Sequence, residues 1–540
     1  MERGKKILRF AAPAFLLLLL TLAAHMLMRP QKRPVRIGVD SPSPALGVEI
    51  FKNFDSAVEI VPLAQAAGLA TGELDYFLTA EESLSSKGQT AGHVVAAVVV
   101  NFFHPRQDIS LDELTTLLSD SPEQVLISDE LALACFPWGD RGKFLPTEKV
   151  VAAVGNESVL GIVPVHKRRP CLKVLPVDGI DPRGEEVLAS RYPLMARLQI
   201  YRRPPTFRER LQKIPRKEQD LLAAYLLSEA NPWRNPLRPQ SRFAAVGDVM
   251  LDRDVKKAAL AHNWQWIFAE TAPLLRSMDL AFCNLECPIG SKGKFINMFQ
   301  APPEAVEGLV YAGFDVVSLA NNHILDYHHE GMLETMEILT ENNIAGVGAG
   351  SNLEAARQPV ILEVQGIRIG FVSYTEMWFV HAREPISWQA TSDEPGVVPA
   401  LPEYIWEDIS ALRDEADIVI ASFHWGKEYA SQPAAEQKAL ARLAVDAGAD
   451  LVLGHHPHVL QGIEFYKHGV IAYSLGNFVF DQRLPGTQES MVLEATLSKQ
   501  GVLDINLHPA SIQNMRPVIL EGRSKNYLLN RIAELSLAIE

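Results

Sequence analysis

Residues 315–323 read DVVSLANNH, a strand-length apolar run that ends abruptly in side chains able to bind a metal or a substrate. The pattern recurs at RFAAVGD (242–248), DLAFCNLE (279–286), DIVIASFHWG (417–426), DLVLGHHPH (450–458) and GVIAYSLGNF (469–478). Helical patterns lie between these runs, at 303–313, 330–342 and 433–448. This alternation predicts an α/β fold in which the polar ends of neighbouring strands meet at one edge of a sheet.

The composition is that of a large globular protein. The chain has 540 residues, 47% of them hydrophobic, with four cysteines and a net charge of −14. These values exclude a disordered chain and a disulfide-dense scaffold. Residues 1–240 carry a charge of +3 and residues 241–540 a charge of −17, so we expect the two halves to differ in role. A net-acidic chain also predicts that nucleic acid is not a partner.

An uncharged run from Phe10 to Met28 lies near the start of the chain, with basic residues on both sides. As a helix it would be about 28 Å long, which is enough to cross the hydrocarbon core of a bilayer. We therefore predict that residues 1–34 form a single-pass anchor in the cell membrane, with the bulk of the protein extracytoplasmic. The alternative is a cleaved signal peptide, which would also place the chain outside the cytoplasm.

Residues 35–202 alternate short apolar runs with amphipathic stretches, which is typical of a second α/β domain. The motifs GIVPV (161–165), LPVDG (175–179) and YPL (192–194) resemble segments of phosphate-type periplasmic solute-binding proteins. The segment SPSPALG (41–47) departs from that family, because its prolines lack the N–H donors that hold an oxyanion. We predict a shortened domain like those proteins and leave its ligand binding open.

The rest of the chain divides into three predicted segments. Residues 203–241 contain six prolines and many basic residues, which predicts a stiff linker. Residues 242–485 carry the strand-end clusters and form the predicted catalytic domain. Residues 486–540 are predicted to be a C-terminal extension that packs on that domain.

The strand-end residues suit a divalent metal centre. The candidate ligands offer carboxylate or amide oxygen or imidazole nitrogen, and they are Asp248, Glu286, Asn322, His424, His456 and His458. This mixture fits Mn, Zn or Fe better than Ca. His456 and His458 are two residues apart, so in an extended segment both point to the same side. Asn322 and His323 are adjacent, so if one faces the metal the other is free to face the substrate.

The same residues carry a family resemblance. The motifs GDVM (247–250), NLECP (284–288), SLANNH (318–323), FHWGKEY (423–429), GHHPHV (454–459) and YSLGNF (473–478) resemble the bacterial capsule synthesis protein CapA family. That family is associated with poly-γ-glutamate capsules and belongs to the calcineurin-like metallophosphoesterase superfamily. The resemblance spans about residues 243–481 and implies a metallophosphoesterase-like αββα sandwich.

The resemblance also implies roles for individual residues. Asp248 stands at the first Asp ligand, Glu286 at a bridging carboxylate, and Asn322 at an Asn ligand next to a catalytic histidine, His323. His424 resembles the next ligand, and His456 with His458 the terminal pair. Met250 stands where the superfamily has a histidine, which puts the completeness of one of two metal subsites in question.

Two function classes follow. The first is a metal-dependent hydrolase in which two divalent ions activate water and His323 acts as general acid. The bond would be a phosphoester or an amide of a γ-linked glutamyl or peptidoglycan-like polymer, so the expected partner is an anionic cell-surface polymer. The second class is a non-catalytic scaffold or recognition component of a capsule synthesis and export complex. In it the metal site is structural or vestigial, and the binding-protein-like half supplies recognition.

Five further residues are assigned supporting roles near the predicted centre. Asp326 and Asn477 are expected to orient ligands. His455 is a candidate additional ligand, and Lys427 is a candidate to receive an anionic chain. Trp425 is predicted to be either a pocket wall or a core residue.

The cysteines leave two alternatives open. In an exported protein, four cysteines allow the bridges Cys135–Cys171 and Cys283–Cys287. A free, buried pair at Cys283 and Cys287 is the other alternative, and spacing does not decide between them.

Overall fold

The structure is a computed structural model of the chain. It describes residues 35–39, 58–62, 76–79, 89–104, 106–131, 143–156, 159–183, 192–202, 240–377, 379–380 and 386–539. The predicted membrane helix, the segment SPSPALG, Cys135 and nearly all of the predicted linker lie outside the described residues. Among the residues that the structure does describe, no helix has the length and apolar character needed to span a bilayer.

The described residues form two compact units. The described parts of 95–128, 141–195 and 236–540 belong to the larger unit, and the other described residues belong to the smaller one. The larger unit thus combines part of the predicted binding-protein-like region with the C-terminal half. The five segments drawn from the sequence stay predictions.

Nine strands and two helices lie in the described residues before residue 203. The strands are β1 Val35–Val39, β2 Val58–Pro62, β3 Tyr76–Thr79, β4 Gln89–Asn101, β5 Val125–Ser128, β6 Lys143–Leu145, β7 Leu160–Pro164, β8 Leu172–Leu175 and β9 Met195–Arg202. The helices in this described part are α1 Leu111–Asp120 and α2 Thr147–Asn156. In the smaller unit, β1 runs parallel to β2 and β3, and β3 pairs antiparallel with β9. In the larger unit, β4 pairs antiparallel with β7 and β8, while β5 runs parallel to β6 and β7.

The remaining elements follow residue 240. The strands are β10 Ser241–Val249, β11 Leu280–Leu285, β12 Val316–Ser318, β13 Ala345–Val347, β14 Ala349–Gly350, β15 Val360–Val364, β16 Ile367–Thr375, β17 Phe379–Val380, β18 Ile386–Ser387, β19 Gly396–Val397, β20 Ile418–His424, β21 Leu451–His455, β22 Ile463–Tyr466, β23 Gly469–Ala472, β24 Asn477–Val479, β25 Glu489–Ser498, β26 Gly501–Gln513 and β27 Arg516–Ile519. The helices are α3 Arg253–Ala261, α4 Trp264–Phe268, α5 Ala272–Leu275, α6 Val306–Ala312, α7 His328–Glu341, α8 Leu353–Arg357, α9 Pro402–Glu415, α10 Ala435–Ala447 and α11 Gly522–Leu537.

Two large sheets form the centre of this region. One has the order β13-β12-β11-β10-β25-β26-β27, with β24 beside β10, and the other has the order β15-β16-β20-β21-β23-β22. Strands β10 to β13 are parallel, as are β16, β20, β21 and β23. Parallel neighbours bring their carboxyl ends to the same edge, which is where ligands bind in α/β sheets.

Successive residues of strand β10 pack into the core on opposite faces of the first sheet. Phe243 and Ala245 on β10 pack against apolar residues of the second sheet, while Ala244 and Val246 pack against helices α3, α4, α6 and α7. This two-residue period is that of a strand buried on both faces. The outer face of the second sheet packs against α9 and α10. The result is a helix–sheet–sheet–helix arrangement, and the predicted α/β class is confirmed.

The C-terminal residues are part of the same core. Strand β25 pairs antiparallel with β10, and β26 pairs antiparallel with β25. From α11, Leu528 and Ile532 are buried in the cluster between the two sheets.

The described cysteines carry free thiols. Cys283 and Cys287 are both buried and unbridged, so the alternative of a bridge between them is wrong. Burial raises the pKa of the Cys287 thiol, which keeps it protonated and unreactive.

Candidate metal centre

Strands from both sheets end at one buried site. Asp248 lies near the end of β10, Glu286 directly follows β11, and His424 is the last residue of β20. His456 and His458 follow β21. All five side chains are nearly or fully buried, and the two carboxylates are 0% exposed. The structure thus brings together residues that lie up to 210 positions apart in the sequence.

The donor atoms form two groups that share one carboxylate. Asp248, Glu286 and His424 offer ligand atoms that all lie within 4.8 Å of one another, and so do Glu286, His456 and His458. Oε1 of Glu286 lies 3.8 Å from Nε2 of His424 and 3.7 Å from Nε2 of His458. This placement suits a carboxylate that bridges two ions.

The Glu286 carboxylate shows that the site fits a cation. Both of its oxygens are buried and have no hydrogen-bond partner among the described residues. Burial raises the pKa of this carboxyl well above its ordinary value, and the nearby charges of Asp248 and Glu428 raise it further. A buried carboxylate without a donor is costly unless a positive charge compensates it. A divalent ion bound by the two groups would supply that charge.

Two of the histidines, His424 and His456, are in the protonation state that metal binding requires. Burial lowers the pKa of His424 well below its ordinary value, and it lowers the pKa of His456 to about 3. Both rings are therefore neutral at pH 7, and neutral imidazole is the form that binds a metal. Nδ1 of His456 lies 3.1 Å from Nε2 of His424, so the two rings face the same small volume.

The backbone at the terminal histidine pair differs from the prediction. The extended segment predicted for His456 and His458 is wrong, because both residues have positive φ values, 92° and 58°. This left-handed geometry is uncommon for residues with a side chain and is enriched at functional sites. The turn that it makes brings both rings to Glu286, where an extended strand would have continued past it.

Asn322 lies beside the first group of ligands. Its Oδ1 is 2.8 Å from Nε2 of His424, and its side chain is half-buried. The next residue, His323, is almost completely buried, and its Nδ1 donates to Oδ2 of Asp326 at 2.8 Å. The same Asp326 oxygen accepts the backbone N–H groups of Met298 and Phe299. Asp326 thus fixes the orientation of the His323 ring and leaves Nε2 as its free nitrogen.

Two asparagines that sequence reasoning missed hold the ligands in place. Nδ2 of Asn284 lies 2.9 Å from Oδ1 of Asp248 and 3.3 Å from Nδ1 of His424. Nδ2 of Asn321 donates to Oδ1 of Asn284, and its own Oδ1 accepts the N–H of His323. The available signal was position, since Asn284 precedes Glu286 by two residues and points to the same edge. Outer contacts of this kind orient metal ligands.

The supporting residues assigned from the sequence have different positions. Asn477 lies at the site, with Oδ1 2.9 Å from Nδ1 of His458. Nδ1 of the buried His455 lies 3.4 Å from Oδ1 of Asp248, on the outer side of the first group of ligands. Lys427 is exposed in the loop after β20.

Two residues lie in the apolar core. Trp425 is 0% exposed, stacks on Phe423 and donates from Nε1 to the carbonyl of Tyr473. The alternative of a pocket wall for Trp425 is therefore wrong, because the ring packs against α9 and α10. Met250 is also fully buried, in the apolar cluster between the first sheet and its helices. Its thioether stands where the superfamily resemblance predicts an imidazole.

An arginine and two aromatic rings lie beside the centre. The ring of Phe299 lies 4.4 Å from that of His323, and the ring of Phe480 lies 5.0 Å from that of His458. The guanidinium carbon of Arg253 is 4.8 Å from the centre of the Phe299 ring and 5.9 Å from that of Phe480. Asp481 holds this guanidinium through two hydrogen bonds. The guanidinium beside the catalytic candidate is therefore already paired with a carboxylate, and the pair adds no net charge.

Comparison with known proteins identifies the family. Residues 242–482 match the model of the bacterial capsule synthesis protein PGA_cap. The capsule biosynthesis protein CapA of Bacillus anthracis is 36% identical over 284 residues, which cover 50% of this chain and 67% of that protein. The PGA biosynthesis protein CapA of Bacillus subtilis is 36% identical over 278 residues, 50% of this chain and 72% of that protein. The chain belongs to the bacterial capsule synthesis protein PGA_cap family.

All of the proposed metal ligands lie within the residues that match PGA_cap. The family resemblance drawn from the motifs is confirmed, and its span of about 243–481 agrees with the match at 242–482. Among solved structures, a phosphate transport receptor from Vibrio cholerae is 12% identical and covers 36% of this chain and 94% of that chain, with a TM-score of 0.29. A similarity at this level does not establish a fold, so the binding-protein-like domain stays a prediction.

Proposed function

We propose that this PGA_cap protein is a metallophosphoesterase-like hydrolase that depends on two divalent ions and acts in the biosynthesis or processing of a cell-surface polymer such as poly-γ-glutamate. The observation that carries the proposal is Glu286, which two groups of buried ligands share and whose oxygens lack donors among the described residues. The printed names of the relatives, capsule and PGA biosynthesis proteins, support the polymer. Under the proposal the chain is anchored by its N-terminus and works outside the cytoplasm.

When bound, Mn, Zn or Fe at this site would polarise the substrate oxygen and lower the pKa of a bound water. Residues of the chain supply the other roles in the proposed reaction. Asp326 holds the His323 ring through Nδ1, so the free Nε2 is the atom that would donate a proton to the leaving group. Asn284 donates to the ligand Asp248, and Asn321 donates to Asn284 and accepts the backbone N–H of His323. Arg253, paired with Asp481, packs on the Phe299 ring beside His323.

The charge of the domain constrains the substrate. Residues 241–540 carry −17, which repels a polyglutamate chain at long range. Screening limits this repulsion to about 10 Å at moderate salt, so the charge of bound metal would have to offset it at the site. The scissile bond is proposed to be either a phosphoester or a γ-linked amide.

The experiment compares metal content with turnover. The purified chain is analysed for bound metal and then assayed on a phosphodiester reporter and on poly-γ-glutamate, as wild type and as His323→Gln. The matched control is His468→Gln, since His468 is exposed and lies outside the site. We expect two equivalents of metal, turnover in the wild type and the control, and a loss of roughly 100-fold or more in His323→Gln. No turnover by the metal-loaded wild type would refute the hydrolase, and turnover of His323→Gln equal to wild type would refute the role of His323.

A second function is favoured by one observation. Met250 occupies the position of a metal-binding histidine and is buried in apolar surroundings, so one subsite has fewer ligands. This supports a non-catalytic component of a capsule synthesis complex. One equivalent of metal or none, together with no turnover on either substrate, would favour that component over the enzyme.

A further inference from the structure

A cavity of about 420 Å³ lies within the larger unit, and none of the residues lining it belongs to the metal centre. Its walls come from the loop after β4, strand β8, strand β26 and helix α11. Small-molecule sites in proteins occupy about 300–1,000 Å³, so the volume is that of a ligand site.

One part of the cavity is apolar. The rings of Phe102 and Phe103 pack edge to face with centres 5.0 Å apart, and Phe102 is further held by Phe465 at 5.3 Å. Leu507 from β26 and Leu529 from α11 line the same cavity. These side chains come from separate elements and are held by the core, so the apolar wall is preformed.

The buried arginines beside the cavity are already neutralised. Arg168 is 0% exposed at its side chain and donates from Nε to Oδ2 of Asp504 at 2.6 Å. Arg183 pairs with Asp181 and lies 3.5 Å from the other oxygen of Asp504. Two guanidinium groups therefore face two carboxylates, and this network contributes no net charge.

Two lysines lining the cavity remain without a carboxylate. Neither Lys173 nor Lys525 forms an ion pair with a residue that the structure describes. The Lys173 ammonium donates only to the backbone carbonyls of His104 and Arg106, which leaves one of its three hydrogens unused. Burial lowers the pKa of Lys173, as expected for a half-buried ammonium without a counter-charge.

One face of helix α11 lines the cavity beside Lys173. Lys525, Leu529 and Ala533 are spaced four residues apart and line the cavity, as do Asn526 and Asn530. Residues at this spacing lie on one side of a helix. The helix therefore offers an ammonium, two amides and an apolar patch to the same volume.

We propose that this cavity binds a small amphipathic organic anion, with its apolar body against Phe102, Phe103 and Leu529 and its charged group paired with Lys173 and Lys525. The two unmatched ammonium groups set the sign of the ligand charge, and the volume sets its size. This site is independent of the proposed hydrolase, because it uses no residue of the metal centre.

The test is a fluorescence titration of the full chain with anilinonaphthalene sulfonate, an anionic aromatic probe. We expect one equivalent to bind, Lys525→Gln to weaken binding about tenfold through loss of a charged hydrogen bond, and Leu529→Trp to abolish it by filling the cavity. The uncharged anilinonaphthalene is expected to bind at least about tenfold more weakly than the sulfonate.

The matched control is Lys499→Gln, which removes an exposed lysine outside the cavity and should bind like the wild type. Thermal unfolding of each variant shows whether it is folded. If Leu529→Trp is not folded, Lys525→Gln still tests the proposal. Binding of the sulfonate that is unchanged in Lys525→Gln, or equal for the charged and uncharged probes, would overturn the proposal.

Discussion

The substitution Glu286→Gln should change the stability of the protein in opposite directions with and without metal. Without metal, Glu286 is a buried carboxyl with no donor among the described residues, and burial together with Asp248 opposes its ionisation. Glutamine keeps the shape and removes the charge. A buried, uncompensated polar group costs about 1–3 kcal/mol, and more when charged, so we expect the free energy of unfolding to rise by about that amount. For a unit as large as this one, each kcal/mol raises the thermal midpoint by about 1 °C, because the entropy of unfolding grows with the number of residues.

With metal, the order should reverse. A ligand at 100 times its dissociation constant stabilises the folded state by about 2.7 kcal/mol, and the wild type should gain this amount. Glutamine removes the carboxylate that both groups of ligands share, so the variant should gain little. The assay is calorimetric unfolding of both proteins in chelator and in excess Mn²⁺. The control is Glu337→Gln, which removes an exposed carboxylate and should follow the wild type under both conditions.

The pH dependence of stability tests the effect of Glu286 independently. Burial raises the pKa of Glu286 above its ordinary 4.5, so the folded state binds a proton that the unfolded state releases. The contribution of this group to stability is thus complete below pH 4.5 and is lost as the pH rises towards the raised pKa. In chelator, wild type should lose stability over this window relative to Glu286→Gln. A variant that is less stable than wild type in chelator, or that responds equally to Mn²⁺, would refute the shared-ligand reasoning.

Three further predictions concern the scaffold. Asn284→Ala removes the amide that holds two ligands and should weaken metal affinity about 10–100-fold in a chelator competition titration. Stability in chelator should also fall, by about 1–3 kcal/mol, because the buried Asp248 loses a donor. Arg168→Met removes the shorter of the two ion pairs of Asp504, which keeps Arg183 at 3.5 Å, and should lower the free energy of unfolding in urea by about 3 kcal/mol; a loss below about 1 kcal/mol would contradict the buried pair. Gly247→Ala places a methyl group 1.8 Å from the carbonyl oxygen of Gly476 and should cost about 3 kcal/mol in thermal unfolding, whereas Gly155→Ala, which meets no atom within 4 Å, should be neutral.

The strand-end pattern predicts much of the metal centre because its physics is local. An apolar run followed by a polar residue marks the carboxyl end of a buried strand, and parallel pairing brings such ends together. Asp248, Glu286 and His424 meet for this reason, although 176 residues separate the first from the last. The same pattern indicated the adjacent pair Asn322 and His323, for which the family motifs added roles, and the structure places Asn322 beside these ligands.

Other parts of the site depend on orientation, which the pattern does not encode. Trp425 follows a ligand directly, yet strand alternation turns its ring into the core beside Phe423. The left-handed backbone at His456 and His458 is set by the turn after β21, so an extended segment was the wrong expectation. The role of Asn284 depends on its distance from His424, which lies 140 residues further along the chain.

By itself, the sequence determined the fold class of the C-terminal half, the family and the residue types at the metal centre, because hydrophobic periodicity and motif order are properties of short segments. Only the tertiary structure decided that Glu286 is shared between two groups of ligands and lacks a donor among the described residues. It also decided that Arg168 pairs with Asp504 across 336 residues and that two lysines share one cavity. These features are distances between distant segments, and they exist only once the elements have packed into a single core.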